Sequence, residues 1–377
     1  VPAFGPSHVR SFINYLRRPP VVAEHRPHTV INLGPVAVED AEDGPQLVLL
    51  PYEQVLELMD APGMRQRQRR AEFLIARPVN VNVPHLKHER GTVAPARQIT
   101  PVPDAKMETT AQTSFAVATY CKGFPWYMSG AKPTEIAQRV QDISLYAREG
   151  TDEILDQDQS KCDAHLTTFG RAFHLAVIDG LVASEYRAKA KSELLDEGLA
   201  SNLIPRENGD VDVMSVEATM SSGTPWTSVM TTLWCAFQMW SACLCAGMTQ
   251  EEAAEQFNRG VAANGDDGFM ARPAKLTGPL IAAVCAQYGA ELEVTVQPAA
   301  APVVFLARRY PHPQTGTGSY SDPSRSFPRV GLSLIRPGIS DAQALVNQAS
   351  GFLLTDPNTP GLREFADSVL RAHPHLT

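Results

Sequence analysis

The chain has no C-x-x-C pair, and its six cysteines (Cys121, Cys162, Cys235, Cys243, Cys245, Cys285) are scattered. That excludes the common zinc frameworks and reads as reduced, intracellular thiol usage rather than a disulfide scaffold. No H-x-x-x-H pair stands beside the acidic stretches, so a histidine-ligated metal hydrolase lacks its ligands. There is no internal repeat, no low-complexity tract and no long aliphatic run. The charge-free stretch "TSVMTTLWCAFQMWSACLCAGM", residues 227–248, is long enough to span a bilayer. Ser, Thr, Gln and Cys interrupt it and it has no basic flank, so it reads as a buried core helix and not an integral membrane span. Positive charge is also short. The net charge of -8 excludes a general basic nucleic-acid binder, but not one whose positive charge is confined to a channel. The chain opens on Val1 without an initiator Met or a signal-like segment, as expected of a processed product or a fragment.

What is present is a chain of 377 residues, 44% hydrophobic and 20% charged, which predicts a folded α+β protein of two or three subdomains. Residues 1–60 read as loops, a strand and a short helix. "GMRQRQRRAEFLI" reads as a helix and "ARPVNVNVPHLKHERG" as extended. "KPTEIAQRVQDISLYAREG" is a helix opened by Lys132-Pro133-Thr134 and followed by Gly150. "FGRAFHLAVIDGLVASEYRAKAKSELLDEGL" makes one or two helices, and "DVDVMSVEATM" a strand. "TQEEAAEQFNRGVAA" and "PAKLTGPLIAAVCAQYGA" read as helices, "ELEVTV" and "PVVFLARRY" as strands. Beyond Pro311 the chain is Pro/Gly/Ser-rich and then helical.

One local charge imbalance stands out. Between residues 65 and 97, eight basic residues (Arg65, Arg67, Arg69, Arg70, Arg77, Lys87, Arg90, Arg97) face only Glu72 and Glu89. A solvated basic surface would explain it as well as a binding channel.

The chemistry-bearing residues begin with "ANGDDGFMAR", residues 263–272. Asn-Gly followed by Asp-Asp-Gly suits a tight hairpin, and the paired carboxylates of Asp266 and Asp267 suit a metal at its tip. Upstream, "DQDQSKCDAH" places Asp158 and Asp163 five residues apart, after Asp152, Glu153 and Asp156. Mg²⁺ takes a few carboxylates plus substrate phosphates, so Asp158 and Asp266 could be ligands from separate strands. Between them lies "MSSGTPWTS", where Ser222, Gly223 and Thr227 precede or open the charge-free helix. An ordinary Ser/Thr helix cap explains that piece equally well.

Taken together, "DQSKCD", "SSGTPWT" and "GDD" resemble, in order and spacing, motifs A, B and C of viral RNA-directed RNA polymerases. "VVFLARRY" looks like motif E, and "KHERGTVAPARQITPV", residues 87–102, like the basic motif F. The form of these motifs is most similar to positive-strand RNA viruses of the tombusvirus and nodavirus kind. The resemblance implies a right-hand polymerase fold, with fingers and nucleotide entry in residues 1–150, an antiparallel-sheet palm in 151–310 and a small thumb in 311–377. It implies that Asp158 and Asp266 bind catalytic Mg²⁺ (Mn²⁺ substituting), with Asp267 supporting them. Asp163, assisted by Ser222, Gly223 and Thr227, would bind the nucleotide and sense its 2′-hydroxyl. Lys87, Arg90 and Arg97 would neutralise the triphosphate, while Arg65, Arg69, Arg308 and Arg309 would hold RNA. The implied partners are template and product RNA, nucleoside triphosphates and other viral replication proteins, in replication complexes of the host cytoplasm.

Three departures accompany the resemblance. Thr231 stands where the family usually has Asn. "YGAELEVTVQP" offers no lysine to act as general acid, and Lys275 lies far upstream. About 67 residues follow Tyr310, a very small thumb. A reverse transcriptase shares the palm but usually carries Tyr/Phe-x-Asp-Asp and lacks the Ser-Gly-x-x-x-Thr helix start. A non-enzymatic RNA-binding replication scaffold would also explain Asp-Gly turns beside a basic run, and it would tolerate loss of Asp266.

Overall fold

The computed structural model describes residues 5–18, 44–59, 81–82, 85–86, 98–100, 104–160, 162–163, 165–199, 201–205, 210–215, 219–331 and 338–376. In chain order the helices are α1 (Gly5–Leu16), α2 (Tyr52–Leu58), α3 (Asp104–Cys121), α4 (Pro133–Ala147), α5 (Thr168–Leu181), α6 (Ser184–Leu199) and α7 (Pro225–Cys245). They continue as α8 (Gln250–Gly260), α9 (Gly278–Gln287), α10 (Pro323–Ser326), α11 (Asp341–Thr355) and α12 (Leu362–Ala372). The strands are β1 (Val81–Asn82), β2 (His85–Leu86), β3 (Gln98–Ile99), β4 (Glu153–Ser160), β5 (Ser201–Pro205) and β6 (Val211–Ser215). They end with β7 (Val261–Asn264), β8 (Asp267–Ala271), β9 (Glu291–Pro298), β10 (Val303–Phe305), β11 (Arg308–Tyr310) and β12 (Tyr320–Ser321). The α+β expectation agrees with this mixture.

The centre of the molecule is a four-stranded antiparallel sheet in the order β7-β8-β4-β9. Strand β4 is "EILDQDQS". Because side chains alternate across a strand, Asp156 and Asp158 point to one face and Gln157 and Gln159 to the other. Both glutamines are buried, and Gln157 reaches Cys235 of α7, its Nε2 donating to Sγ at 3.3 Å. The four-residue alternation therefore states which face carries chemistry and which is covered.

Helix α7 is the cover. Sixteen of its residues are buried, Trp226, Trp234 and Trp240 among them. A stretch apolar on all sides is stable only when surrounded by protein or lipid. Here helices α1, α3, α8 and α9 pack around it. The charge-free run is thus a core helix, and among the described residues no helix is long and apolar enough to cross a membrane.

Three sequence expectations need correction. Residues 5–16, part of the stretch 1–60 read as loops, a strand and a short helix, form a twelve-residue helix, α1, ahead of the short α2. Pro6 sits in its first turn, where a missing N–H costs nothing; Phe12 and Leu16 are fully buried, and Phe12 packs against Phe237 and Trp240 of α7. The "VAA" that ends the α8 expectation belongs to β7. "PVVFLARRY" is a hairpin rather than one strand. Val304 pairs with Arg309 and Phe305 with Arg308, and the two turn residues Leu306 and Ala307 both adopt positive φ, 51° and 59°. That is the sign pattern of a type I′ turn, formed without the Asn or Gly that normally signals it. The helical expectation for "GMRQRQRRAEFLI" lies outside the described residues.

The C-terminal helices have a small apolar cluster of their own. Helices α11 and α12 pack on each other through Val346, Ala349, Ala366 and Val369.

Candidate active site

Strands β7 and β8 join through a two-residue turn, since Asn264 pairs with Asp267 across it. Gly265 has φ +62° and Asp266 has negative φ, the signs of a type II′ turn, a favoured hairpin connection. Asp266 therefore lies in the turn, not on a strand as anticipated. Its backbone carbonyl accepts from Gln159 N at 3.4 Å. The residue directly opposite Asp158 is Asp267. On its other side Asp158 pairs with Glu293 of β9.

One register row thus crosses all four strands as Asn264, Asp267, Asp158 and Glu293. Cross-strand partners share a face, and Asp156, two residues before Asp158, shares it too. Like charges placed opposite one another destabilise a sheet. The strain registers at Asp267. Its carboxyl is pushed up to about 7 by burial, then by the charges of Asp266, Asp158 and Asp156, with the Arg325 guanidinium offsetting part of this. Asp156 is raised to about 6, again by burial first and then by Asp158. Glu293 and Asp156 were not singled out from the sequence. The alternation in "DQDQ" and in "ELEV" contains the signal, but only the strand pairing says that these faces coincide.

This donor set fits a hard divalent cation. Carboxylate oxygens crowd one edge of the sheet and repel one another, a situation that a cation relieves. Among the described residues no group of three or more His, Cys, Asp or Glu side chains is placed to hold a metal ion by itself. A closed cage is not what Mg²⁺ requires, because it binds through one or two carboxylates and keeps water and substrate phosphates in the rest of its shell.

The other expected residues arrive around this edge by backbone connections. After β4 the chain turns, and the carbonyl of Asp163 accepts from Met220 N at 3.0 Å. Burial foremost, and then the charges of the half-buried Asp163 and the exposed Asp266 among others, raise the Cys162 thiol well above the ordinary range. Thr100 N donates to the carbonyl of Ser222 at 2.8 Å. The glycine between Ser222 and α7 is required twice over. Gly223 has φ +96°, and a Cβ there would stand 2.7 Å from Ile99 Cγ2. The hydroxyl of Thr227, expected to bind the nucleotide, is hydrogen-bonded within its own loop. It donates to Ser221 O at 2.7 Å and accepts from Thr224 N at 3.2 Å. The helix cap is accordingly Thr224, not Ser222.

Lys87, Arg90, Arg97, Arg65 and Arg69 lie outside the described residues. The backbones that bracket 87–97 are described. β2 and β3 pair antiparallel, His85 with Ile99 and Leu86 with Gln98, so both ends of that basic segment meet beside Gly223.

Arg308 and Arg309 separate into two roles. Arg308, expected to hold RNA, is buried in a contact with Asp356 at 2.6 Å, its side chain only 12% exposed. Burial alone would raise the Asp356 carboxyl. Hydrogen bonds from Ser321, Thr355 and Arg308 outweigh it and hold the group below its ordinary value. Arg309 is half-exposed and pairs with Asp322 at 2.8 Å. Lys275 sits past the opposite end of β8, in a loop entered where Arg272 N bonds to Glu153 O, away from the carboxylate edge.

No family model matches the chain. The RNA-directed RNA polymerase of Pariacoto virus is 27% identical over 251 residues, 65% of this chain and 24% of that protein. That of Pieris rapae virus is 25% identical over 74% of this chain and 26% of the relative, and that of Atlantic halibut nervous necrosis virus 27% over 70% and 26%. The chain thus spans about a quarter of the length of the curated relatives it matches. Among solved structures, the RNA-dependent RNA polymerase of a human picorbirnavirus superposes with TM-score 0.67 at 13% identity, covering 97% of this chain and 73% of that one. Its insertion-loop deletion mutant gives 0.62 at 12%, over 97% and 80%.

Proposed function

We propose that this chain, a relative of viral RNA-directed RNA polymerases with the fold of one, is the catalytic part of such an enzyme and joins nucleoside triphosphates to an RNA 3′-hydroxyl under the direction of an RNA template. The observation that carries the reading is the row Asp267, Asp158, Glu293 beside the turn at Asp266. A scaffold gains nothing from opposed carboxylates on a central sheet. An enzyme handling polyphosphate through cations does. The same row argues for residues 151–310 as the palm, with 1–150 as fingers and 311–377 as a small thumb.

Asp158 and Asp266, with Asp267 beside them, would hold Mg²⁺, or Mn²⁺ in its place, which supplies activation of the attacking hydroxyl and neutralisation of the leaving pyrophosphate. The remaining work belongs to the chain's own groups. Gly223, without a Cβ, lets the loop backbone lie against Ile99 and so keeps the loop in the shape that receives a nucleotide. Asp163 and Ser222 stand at the two ends of the loop junction and read the ribose, with Thr227 fixing the shape of that loop. Lys87, Arg90 and Arg97 neutralise the triphosphate, which accounts for a basic run on an acidic protein. Arg65, Arg69 and Arg309 bind the RNA backbone. Arg308 serves the fold. Other viral replication proteins are the expected companions, in replication complexes of the host cytoplasm.

The test is incorporation of labelled nucleotide on a homopolymer RNA with Mg²⁺ or Mn²⁺ and an EDTA control. Template-dependent, EDTA-sensitive incorporation that Asp266→Ala abolishes is the expected result. RNA binding without incorporation, unchanged by Asp266→Ala, would favour the scaffold. RNA affinity should also fall steeply with salt, because phosphate contacts release counterions.

A further inference from the structure

Helix α7 does more than cover the sheet. Three residues on one of its faces meet the Gly-Asp-Asp-Gly hairpin at Gly265, Asp266 and Gly268. Thr232 Oγ1 accepts from Gly265 N at 2.8 Å and donates to Ser228 O at 2.7 Å. One turn on, Cys235 Sγ donates to the carbonyl of Asp266 at 3.8 Å and accepts from Gln157 Nε2 at 3.3 Å. A further turn on, Met239 Sδ lies 2.9 Å from where a Cβ on Gly268 would stand, and Gln157 occupies the same space at 2.7 Å. The spacing 232, 235, 239 is that of a single helix face. Thr232, Cys235 and Met239 are all fully buried. Gly268 is glycine because the helix and Gln157 leave no room for a side chain.

The consequence is a closed circuit of contacts. Gln157 is the strand neighbour of Asp158, and Asp266 is the turn that completes the carboxylate edge. Cys235 touches both, through one side chain. Thr232 pins the residue before Asp266, using a backbone N–H that a II′ turn leaves pointing away from the strands. We propose that Thr232 and Cys235 are positioning residues for nucleotidyl transfer: they fix the turn at residues 265–266 against β4 and so set the placement of the Asp266 carboxylate relative to Asp158. The inference rests on the polymerase reading given above. Neither residue touches the nucleotide or RNA in this role. Mg²⁺ demands near-ideal octahedral geometry, so a small displacement of the turn is felt as poorer cation binding and slower chemistry, not as poorer substrate binding.

The experiment compares wild type with Thr232→Val, Thr232→Ser and Cys235→Ala. Thr232→Val keeps the shape and removes the hydroxyl, and Thr232→Ser restores it. Three measurements are made: hydrogen exchange at the Gly265 amide, Mn²⁺ binding followed by its paramagnetic signal, and steady-state incorporation in Mg²⁺. The inference expects Thr232→Val to lose protection at Gly265 while the β4–β9 amides stay protected. Mn²⁺ affinity should weaken, and kcat should fall on the order of tenfold to a hundredfold with the nucleotide KM nearly unchanged. Thr232→Ser should recover most of each loss, and Cys235→Ala should act in the same direction more weakly. A Thr232→Val protein that folds and keeps wild-type kcat and Mn²⁺ affinity overturns the inference. So does a loss of protection spread evenly over the sheet, with no recovery in Thr232→Ser. Absence of incorporation by wild type itself overturns the polymerase reading instead, and in that case Gly265 exchange and Mn²⁺ binding still decide whether Thr232 positions the turn.

Discussion

Asp158 and Asp267 face each other across β4 and β8, and Asp158 faces Glu293 across β4 and β9. A sheet that aligns three carboxylates across adjacent strands trades stability for a site. Several measurable consequences come from that trade and from the loops around it.

Removing one of the opposed charges should stabilise the metal-free protein while ending its activity. Asp267 is raised to about 7 by burial and its acidic neighbours, so an uncharged amide relieves both. Asp267→Asn is expected to raise Tm without metal by about 2–4 °C, to lose most of the further rise that Mg²⁺ gives wild type, and to incorporate little or no nucleotide. Thermal unfolding with EDTA and with Mg²⁺ checks this; a lower Tm in EDTA would count against charge crowding at the site.

Gly223→Ala should damage the junction between the loop before α7 and β3. The residue has φ +96° and a new Cβ would meet Ile99. Positive φ at a residue with a side chain costs about 1–3 kcal/mol, and the contact adds to it. Raised nucleotide KM is expected, with partial relief when Ile99→Ala is added. Steady-state kinetics of the two variants test it, and additivity of their effects would argue against the contact.

Arg308→Ala and Arg309→Ala should part company. The first leaves Asp356 buried without its cation, a loss of about 3 kcal/mol, and should loosen α11 and α12. The second should leave Tm almost unchanged and weaken RNA binding in a salt-dependent way. Denaturation and RNA affinity measured on both variants separate the roles. Equal Tm losses would refute the assignment.

His174 should contribute to acid sensitivity. Burial foremost, and then the Arg171 charge, push its pKa down to about 3. Between that value and 6.5 the unfolded chain binds a proton that the folded one does not. Stability therefore falls as pH is lowered through this window, by up to about 1.4 kcal/mol per pH unit. His174→Phe should flatten that limb relative to wild type, as read from denaturant midpoints at pH 4 to 7. An unchanged slope would mean that other groups carry the acid sensitivity.

Sugar selection should be looser than in the polymerases this chain resembles. Thr231, where the family usually has Asn, is buried at the α7 start, and Thr227 is occupied by Ser221 and Thr224. One missing contact to a hydroxyl corresponds to about tenfold to a hundredfold in discrimination. Thr231→Asn is expected to raise the ATP/dATP ratio of kcat/KM, and Asp163→Ala to collapse it. If Thr231→Asn leaves the ratio alone, Thr231 only packs the helix.

The sequence by itself determined the helix α7, because a charge-free run broken by Ser, Thr and Gln has no stable place except a protein core. It determined the Gly-Asp-Asp hairpin, because Asn-Gly-Asp-Asp-Gly carries the turn chemistry locally. It also determined the two faces of β4, because Asp and Gln alternate with the period of a strand. Tertiary structure decided the rest. Strand register is a long-range choice, and it put Asp267 rather than Asp266 opposite Asp158 and added Glu293 to the row. Pairing partners far along the chain decided that Arg308 meets Asp356, and that Thr232 and Cys235 lie beneath the turn. The I′ turn at Leu306 and Ala307 was invisible locally, since neither residue favours positive φ. The pairing of β10 with β11 holds them there, and no reading of neighbours along the chain contains that constraint.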